Sequence, residues 1–240
     1  MSAEHLAEQT KALAGASAAD LIGIAAGERF SPEELGELGR AFGPVRSVTV
    51  LAQRIVDPVQ TVRFWSAKAY ADSLTAASFG DAMLRHACWQ VVQILREAGY
   101  RAAIPRNQRY GDDGPRHSIS YKKAGALAGL GSIGKSQLLI HPDWGPWLHL
   151  RTVITDADLP ADSPITFSPC DGCGRCLEAC PSGALSASGF DRTRCEQPIG
   201  YTGPGKNVVR LSPHGRINCE ECMRACPLGE APPRLTQHAE

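Results

Sequence analysis

Residues 170–181 read Cys170-Asp-Gly-Cys173-Gly-Arg-Cys176-Leu-Glu-Ala-Cys180-Pro181, and this stretch decides what kind of chain it is. The spacing is C-x2-C-x2-C-x3-C-P, a run that holds iron–sulfur clusters. Three thiolates at three-residue steps can wrap three irons of one cubane while backbone amides point at the sulfides. The fourth cysteine starts a helix facing away and so reaches a different cluster. Proline after it ends the ligand loop and suits a first helical position.

A second run, Cys219-Glu-Glu-Cys222-Met-Arg-Ala-Cys226-Pro227, has the same ending but one cysteine fewer. Cys195, isolated 24 residues upstream, supplies the missing ligand. The spacing therefore predicts Cys170, Cys173, Cys176 and remote Cys226 on one [4Fe-4S] cluster. It predicts Cys180, Cys195, Cys219 and Cys222 on another. Zinc in four-thiolate sites is the alternative, since C-x2-C pairs also suit it. A disulfide framework is the weaker alternative.

Outward from these runs, the nine cysteines of the 240 residues are unevenly spread: only Cys88 precedes Cys170. A cofactor module attached to a cysteine-poor domain is the expected organisation, with residues 1–160 as an α/β domain and 161–240 as the cluster domain. Net charge is zero, and the halves are balanced too, with 17 basic and 16 acidic side chains in residues 1–160. No basic tail advertises nucleic acid or an anionic membrane. No run of about 18 apolar residues predicts a spanning helix. The N-terminus lacks a signal-peptide pattern, so a cytoplasmic location is expected.

In the first domain, residues 3–14 predict a helix and Asp20–Ala26 a buried strand. Ser31-Pro32-Glu33-Glu34 is a helix start, with Ser31 as cap and Glu34 reaching back. Gly43-Pro44 stops that helix, and Val45–Ile55 predicts a second strand. Residues 80–98 give a longer helix, with Leu84, Cys88, Val91 and Leu95 on one stripe. Cys88 is thus read as a core thiol. A short strand at Arg101–Pro105, a helix over Ser120–Leu127 and strands at 138–140 and 148–155 follow. Three prolines between Pro160 and Pro169 suggest a linker.

Gly129-Leu130-Gly131-Ser132-Ile133-Gly134-Lys135-Ser136 matches both the dinucleotide fingerprint and the P-loop. Both need a buried strand immediately before the loop, whereas residues 120–128 have helical composition. The plainer reading is a tight glycine turn that lets backbone approach something closely, a cofactor included. The segment 101–123 holds six basic residues and two acids, which is either a solvated face or a binding edge for a phosphate or polar cofactor. His117 and Tyr121 within it are proton-donor candidates. His141, His149, Trp144 and Trp147 are read as packing and turn residues.

Taken together, residues 128–135, 138–145 (Leu-Leu-Ile-His-Pro-Asp-Trp-Gly), 152–156 (Thr-Val-Ile-Thr-Asp) and the cysteine module resemble the epoxyqueuosine reductase family. They are more distantly similar to the core of corrinoid reductive dehalogenases. The resemblance implies a nitroreductase-like, cobalamin-binding α/β (α+β) domain followed by a bacterial ferredoxin-like two-cluster module. It implies cobalamin near Gly129, Leu130, Gly131, Ser132, Gly134 and Lys135, with electrons arriving from a flavodoxin- or ferredoxin-type donor. It also implies a catalytic aspartate upstream of the glycine loop, for which Asp113 is the nearest acid. Asp113, His117 and Tyr121 are accordingly the catalytic candidates.

The chain ends 14 residues after Cys226, where the family carries a tRNA-contacting region. With neutral charge, this weighs against tRNA and for a small-molecule or modified-nucleoside substrate. The leading expectation is a cobalamin-dependent iron–sulfur reductase. Its alternatives are a non-catalytic electron carrier docking a redox enzyme, and a reductase holding FMN on the same scaffold.

Overall fold

The structure, a computed structural model, describes residues 2–13, 15–56, 62–64, 76–107, 118–196, 215–217 and 219–232. In chain order its elements are α1 (Ala3–Lys11), β1 (Leu21–Ala26), α2 (Pro32–Phe42), β2 (Ser47–Arg54), β3 (Val62–Phe64), α3 (Ala76–Glu97), β4 (Ala102–Ala103), β5 (Arg106–Asn107), β6 (Ser118–Ile119) and α4 (Tyr121–Leu127). They continue as β7 (Ser132–Ile133), β8 (Leu139–Ile140), β9 (Leu148–Thr155), α5 (Arg175–Glu178), β10 (Leu185–Ser186), β11 (Gly189–Phe190), α6 (Arg192–Glu196), β12 (Gly215–Ile217) and α7 (Glu221–Arg224). No helix among the described residues is long and apolar enough to cross a membrane.

Two compact units divide the chain, each assembled from separated stretches. The first takes residues 1–54, 83–133 and 148–167; the second takes 55–82, 134–147 and 168–240. Two pieces upstream of residue 160 therefore group with the cysteines. The first unit runs on to Phe167, because the proline-rich segment is anchored rather than a free linker. Asp162 accepts the Ile24 amide at 2.9 Å and the Lys11 ammonium at 2.5 Å, and its own amide donates to the Ile24 carbonyl. Its carbonyl accepts from Arg29.

The core of the first unit is a four-stranded sheet in the order β1-β2-β9-β4, antiparallel throughout. Register decides its faces, because side chains alternate along a strand. Ile22 pairs with Leu51, and Ile24 with Thr49, which in turn pairs with Val153. This face packs against Leu6 of α1 and against Leu84, Cys88, Val91 and Leu95 of α3, all within one buried cluster. Gly23, Val50 and Thr152 line up on the opposite face. There α4 closes in: a Cβ at Gly23 would lie 2.4 Å from the Ala128 carbonyl oxygen. Coverage on both faces explains why β2 is buried along its first six residues.

Local chemistry sets the helix limits. Ser31 caps α2 through its hydroxyl while the Glu34 carboxylate accepts the Ser31 amide at 2.8 Å, and Gly43 ends the helix at φ +91°. The α3 stripe is fully buried at Leu84, Cys88, Val91 and Leu95. Each aliphatic side chain there contributes roughly 1.5–3 kcal/mol by leaving water. Cys88 is a core residue.

Candidate iron–sulfur centre

The two cysteine runs of the second unit fold alike. Gly174 precedes the single-turn helix α5, which carries Cys176; α7 carries Cys222. Each helix ends at an alanine (Ala179, Ala225), and the next residue is the cysteine of the Cys-Pro pair. The Cys180 and Cys226 amides close these turns onto the Leu177 and Met223 carbonyls. The helices α5 and α7 pack together. No disulfide joins any of the nine cysteines.

Electrostatics group the sulfurs. Burial pushes the Cys226 thiol up, and so do the charges of Cys170 and Cys173; a hydrogen bond from the Leu228 backbone opposes them. The Cys176 thiol is raised by burial and then by Cys170 and Cys173, with Cys226 adding to it. Burial likewise raises Cys219, where Cys195 and Cys180 contribute. Cys222 is pushed up to about 12 by burial and then by Cys219, Cys195, Cys176 and Cys180. Cys180 runs the other way: burial raises it, but hydrogen bonds from the Ser182 hydroxyl and nearby amides bring it below its ordinary value. Burial and mutual repulsion disfavour bare thiolates at the raised positions; a cationic iron core offsets that cost, and the thiol protons pass to solvent as iron binds.

This donor set fits [4Fe-4S] clusters. Eight sulfurs lie in one unit, and Cys226 is influenced by the first run while Cys180 influences Cys219 and Cys222. Among the described residues, no three His, Cys, Asp or Glu side chains are spaced to hold a single metal ion.

The glycine loop answers to the chain's own packing. Before it stands the helix α4 and no strand, so the nucleotide-binding patterns lack their context. Gly129, at φ +76°, brings its backbone so near the Ser163 carbonyl oxygen that a Cβ would stand 2.6 Å away. Gly134 lies against Ile140 and Cys170, where a Cβ would be 2.9 Å from Ile140 Cγ1 and 3.2 Å from the Cys170 sulfur. Leu130 and Gly131 are buried, and Ser132 is half-buried. Ile133 remains 41% exposed and Lys135 is exposed.

Of the catalytic candidates, Asp113 and His117 lie outside the described residues. Tyr121 opens α4, is 4% exposed, and donates from its phenol to the Pro105 carbonyl at 2.5 Å. The Arg151 guanidinium stands 5.7 Å from its ring centre. A phenol so placed is a structural tie in this conformation. His141 is likewise a turn residue: its Nδ1 accepts from the Asp143 and Trp144 amides, and its ring stacks on Trp144 at 4.7 Å. Partial burial lowers its pKa, against the opposing charge of Asp143. Trp147 is buried.

One pair escaped the sequence reading. Glu220 and Arg224 bracket Cys222 and form a buried ion pair, Arg224 Nε and Nη2 donating to Oε1 at 2.7 and 2.5 Å. Arg224 also donates to the Pro232 carbonyl and lies over the Trp147 ring at 5.3 Å. The i, i+4 spacing was visible in the sequence, but the burial that gives it weight was not.

Residues 169–230 match the family model of a 4Fe-4S dicluster domain. The chain is similar to epoxyqueuosine reductases: 41% identical over 102 residues to that of Synechococcus sp. (strain RCC307), covering 42% of this chain and 31% of the relative. To the epoxyqueuosine reductase of Vibrio cholerae it is 34% identical over 155 residues, covering 63% of this chain and 39% of the relative. The chain thus spans well under half the length of these curated relatives. A crystal structure of epoxyqueuosine reductase with an epoxyqueuosine-modified tRNA-Tyr stem loop matches with a TM-score of 0.66 at 20% identity, over 95% of this chain and 66% of that one. A reductive dehalogenase, described with a mechanism for B12-dependent dehalogenation, also gives 0.66 at 19% identity, over 96% of this chain and 32% of that one. These likenesses establish the fold: a mixed α/β unit with a C-terminal ferredoxin-like 4Fe-4S module.

Proposed function

We propose that this chain is a cobalamin-dependent iron–sulfur reductase of the epoxyqueuosine reductase type. The observation that carries the proposal is one fold, bearing a 4Fe-4S module, that recurs in epoxyqueuosine reductase and in a B12-dependent dehalogenase. The first unit holds corrinoid and substrate, and the second holds two [4Fe-4S] clusters. Cys170, Cys173, Cys176 and Cys226 ligate one; Cys180, Cys195, Cys219 and Cys222 ligate the other. Cobalamin would supply a low-valent cobalt able to attack or reduce a bound substrate.

The chain's own part is binding, orientation and exclusion of water. Ser132 and Ile133 offer a hydroxyl and an apolar side chain to the ring, while Gly129 and Gly134 keep the loop close to its own scaffold. The cluster ligands lie in a module where a cationic iron core would offset the burial and mutual repulsion that disfavour bare thiolates. An external flavodoxin- or ferredoxin-type protein donates single electrons. The substrate is a small molecule or modified nucleoside, and the proton comes from Asp113 or His117, since Tyr121 is engaged by Pro105.

Anaerobic reconstitution with iron and sulfide, then with cobalamin or FMN, tests this by gel filtration and absorbance. Cobalamin co-eluting with a chain that carries about eight irons is the expected result. FMN co-eluting instead replaces the corrinoid by flavin; neither co-eluting leaves an electron carrier. Cys195→Ser is expected to lose about half the iron, and unchanged iron removes Cys195 from the ligand set.

A further inference from the structure

We infer that Lys135 raises the reduction potential of the cluster held by Cys170, Cys173, Cys176 and Cys226. It does so with its amide on one ligand sulfur and its ammonium on the ligand loop. The inference rests on the ligand assignment proposed above, and it gives Gly134 and Lys135 of the glycine loop a role other than nucleotide binding.

Three observations meet on one turn. The Lys135 amide donates to Cys170 Sγ at 3.2 Å, a bond from backbone to a prospective ligand. Its ammonium donates to the Cys173 carbonyl at 2.5 Å, which ties the positive charge into the first ligand loop. Gly134 leaves no room for a side chain against the Cys170 sulfur, so the turn is seated there by shape. The turn closes on itself, with the Gly134 amide donating to the Leu138 carbonyl at 3.0 Å and the Gln137 amide to Gly134 at 2.9 Å. Gln137 takes φ +59° to complete it.

Reduction places one electron on the cluster and breaks no bond; the electron comes from the external donor. The cluster becomes more negative, so an N–H pointed at a ligand sulfur and a nearby cation stabilise the reduced form more than the oxidised form. Both groups belong to Lys135, and both act on the first run of cysteines. The lysine is a positioning residue that works through Cys170 and Cys173.

The test uses the full chain, reconstituted anaerobically, with iron assayed and the two clusters followed by EPR in a potentiometric titration. In Lys135→Gln, iron content is expected to stay at the native level while one of the two reduction steps moves to lower potential. The move should equal an about three- to tenfold less favourable reduction, tenfold being about 59 mV for one electron. Lys135→Arg, which keeps the charge, should recover most of the shift. In Cys195→Ser the remaining step should be the one that Lys135→Gln moves. Two unchanged steps, two steps moved equally, or no recovery by arginine would each overturn the inference. A native chain that takes up zinc and no iron would fail the ligand assignment itself, which the iron assay shows separately.

Discussion

Gly145 and Leu228 meet backbone to backbone: a Cβ built at residue 145 would lie 1.8 Å from the Leu228 carbonyl oxygen. The contact is reciprocal, since a Cβ at Gly229 would stand 2.2 Å from the Trp144 carbonyl oxygen. Both glycines also have left-handed φ values, +57° and +74°. Within the second unit, the 141–145 turn is therefore seated on the chain just after Cys226-Pro227.

Gly145→Ala is expected to destabilise by about 3 kcal/mol or more, because neither backbone can yield without breaking the turn. That corresponds to a thermal midpoint lower by about 6–12 °C. Iron retention should fall with it, since Cys226 is two residues from the contact. A native midpoint in this variant would mean that the two backbones do not meet.

The Glu220–Arg224 pair is expected to resist single substitutions and tolerate a joint one. Their side chains are only 11% and 10% exposed, and Glu220 Oε2 has no hydrogen-bond partner among the described residues. Arg224→Met leaves a buried carboxylate without its cation, at a cost of about 3–5 kcal/mol. Adding Glu220→Gln should recover much of that loss. A denaturant double-mutant cycle reads the coupling, and additive losses would show that the two groups act separately.

Asp156 is expected to contribute to acid sensitivity. Burial pushes its carboxyl up, but hydrogen bonds and charge from Arg101 outweigh burial and hold the pKa below its ordinary value. A folded pKa below the unfolded one stabilises above the unfolded value, and the gain disappears as pH falls through the folded value. Arg101 is more than half exposed, so solvent screening limits the effect to about 1 kcal/mol or less. Thermal midpoints of native protein and Asp156→Asn should differ at neutral pH and converge below the ordinary carboxylate range. A gap that persists in acid would assign the effect to packing.

What the sequence by itself determined is local and periodic. Ser31 and Glu34 announced the start of α2, the Leu84–Leu95 stripe announced α3, and the cysteine spacing announced a 4Fe-4S module. Each depends on residues a few positions apart, where helix geometry and ligand-loop geometry act directly. The helix before Gly129 was legible for the same reason, and it removed the nucleotide-binding reading.

Tertiary structure decided the rest, because its contacts join positions that no short-range pattern links. Asp162 turned an apparent linker into an anchor for β1 and α1. Gly129 and Gly134 proved to be spaced for Ser163 and Cys170. Lys135 reached Cys170 across 35 residues of chain. Steric room, burial and charge at those meeting points arise only when distant segments pack, so composition and spacing could name the cysteines but not the groups set against them.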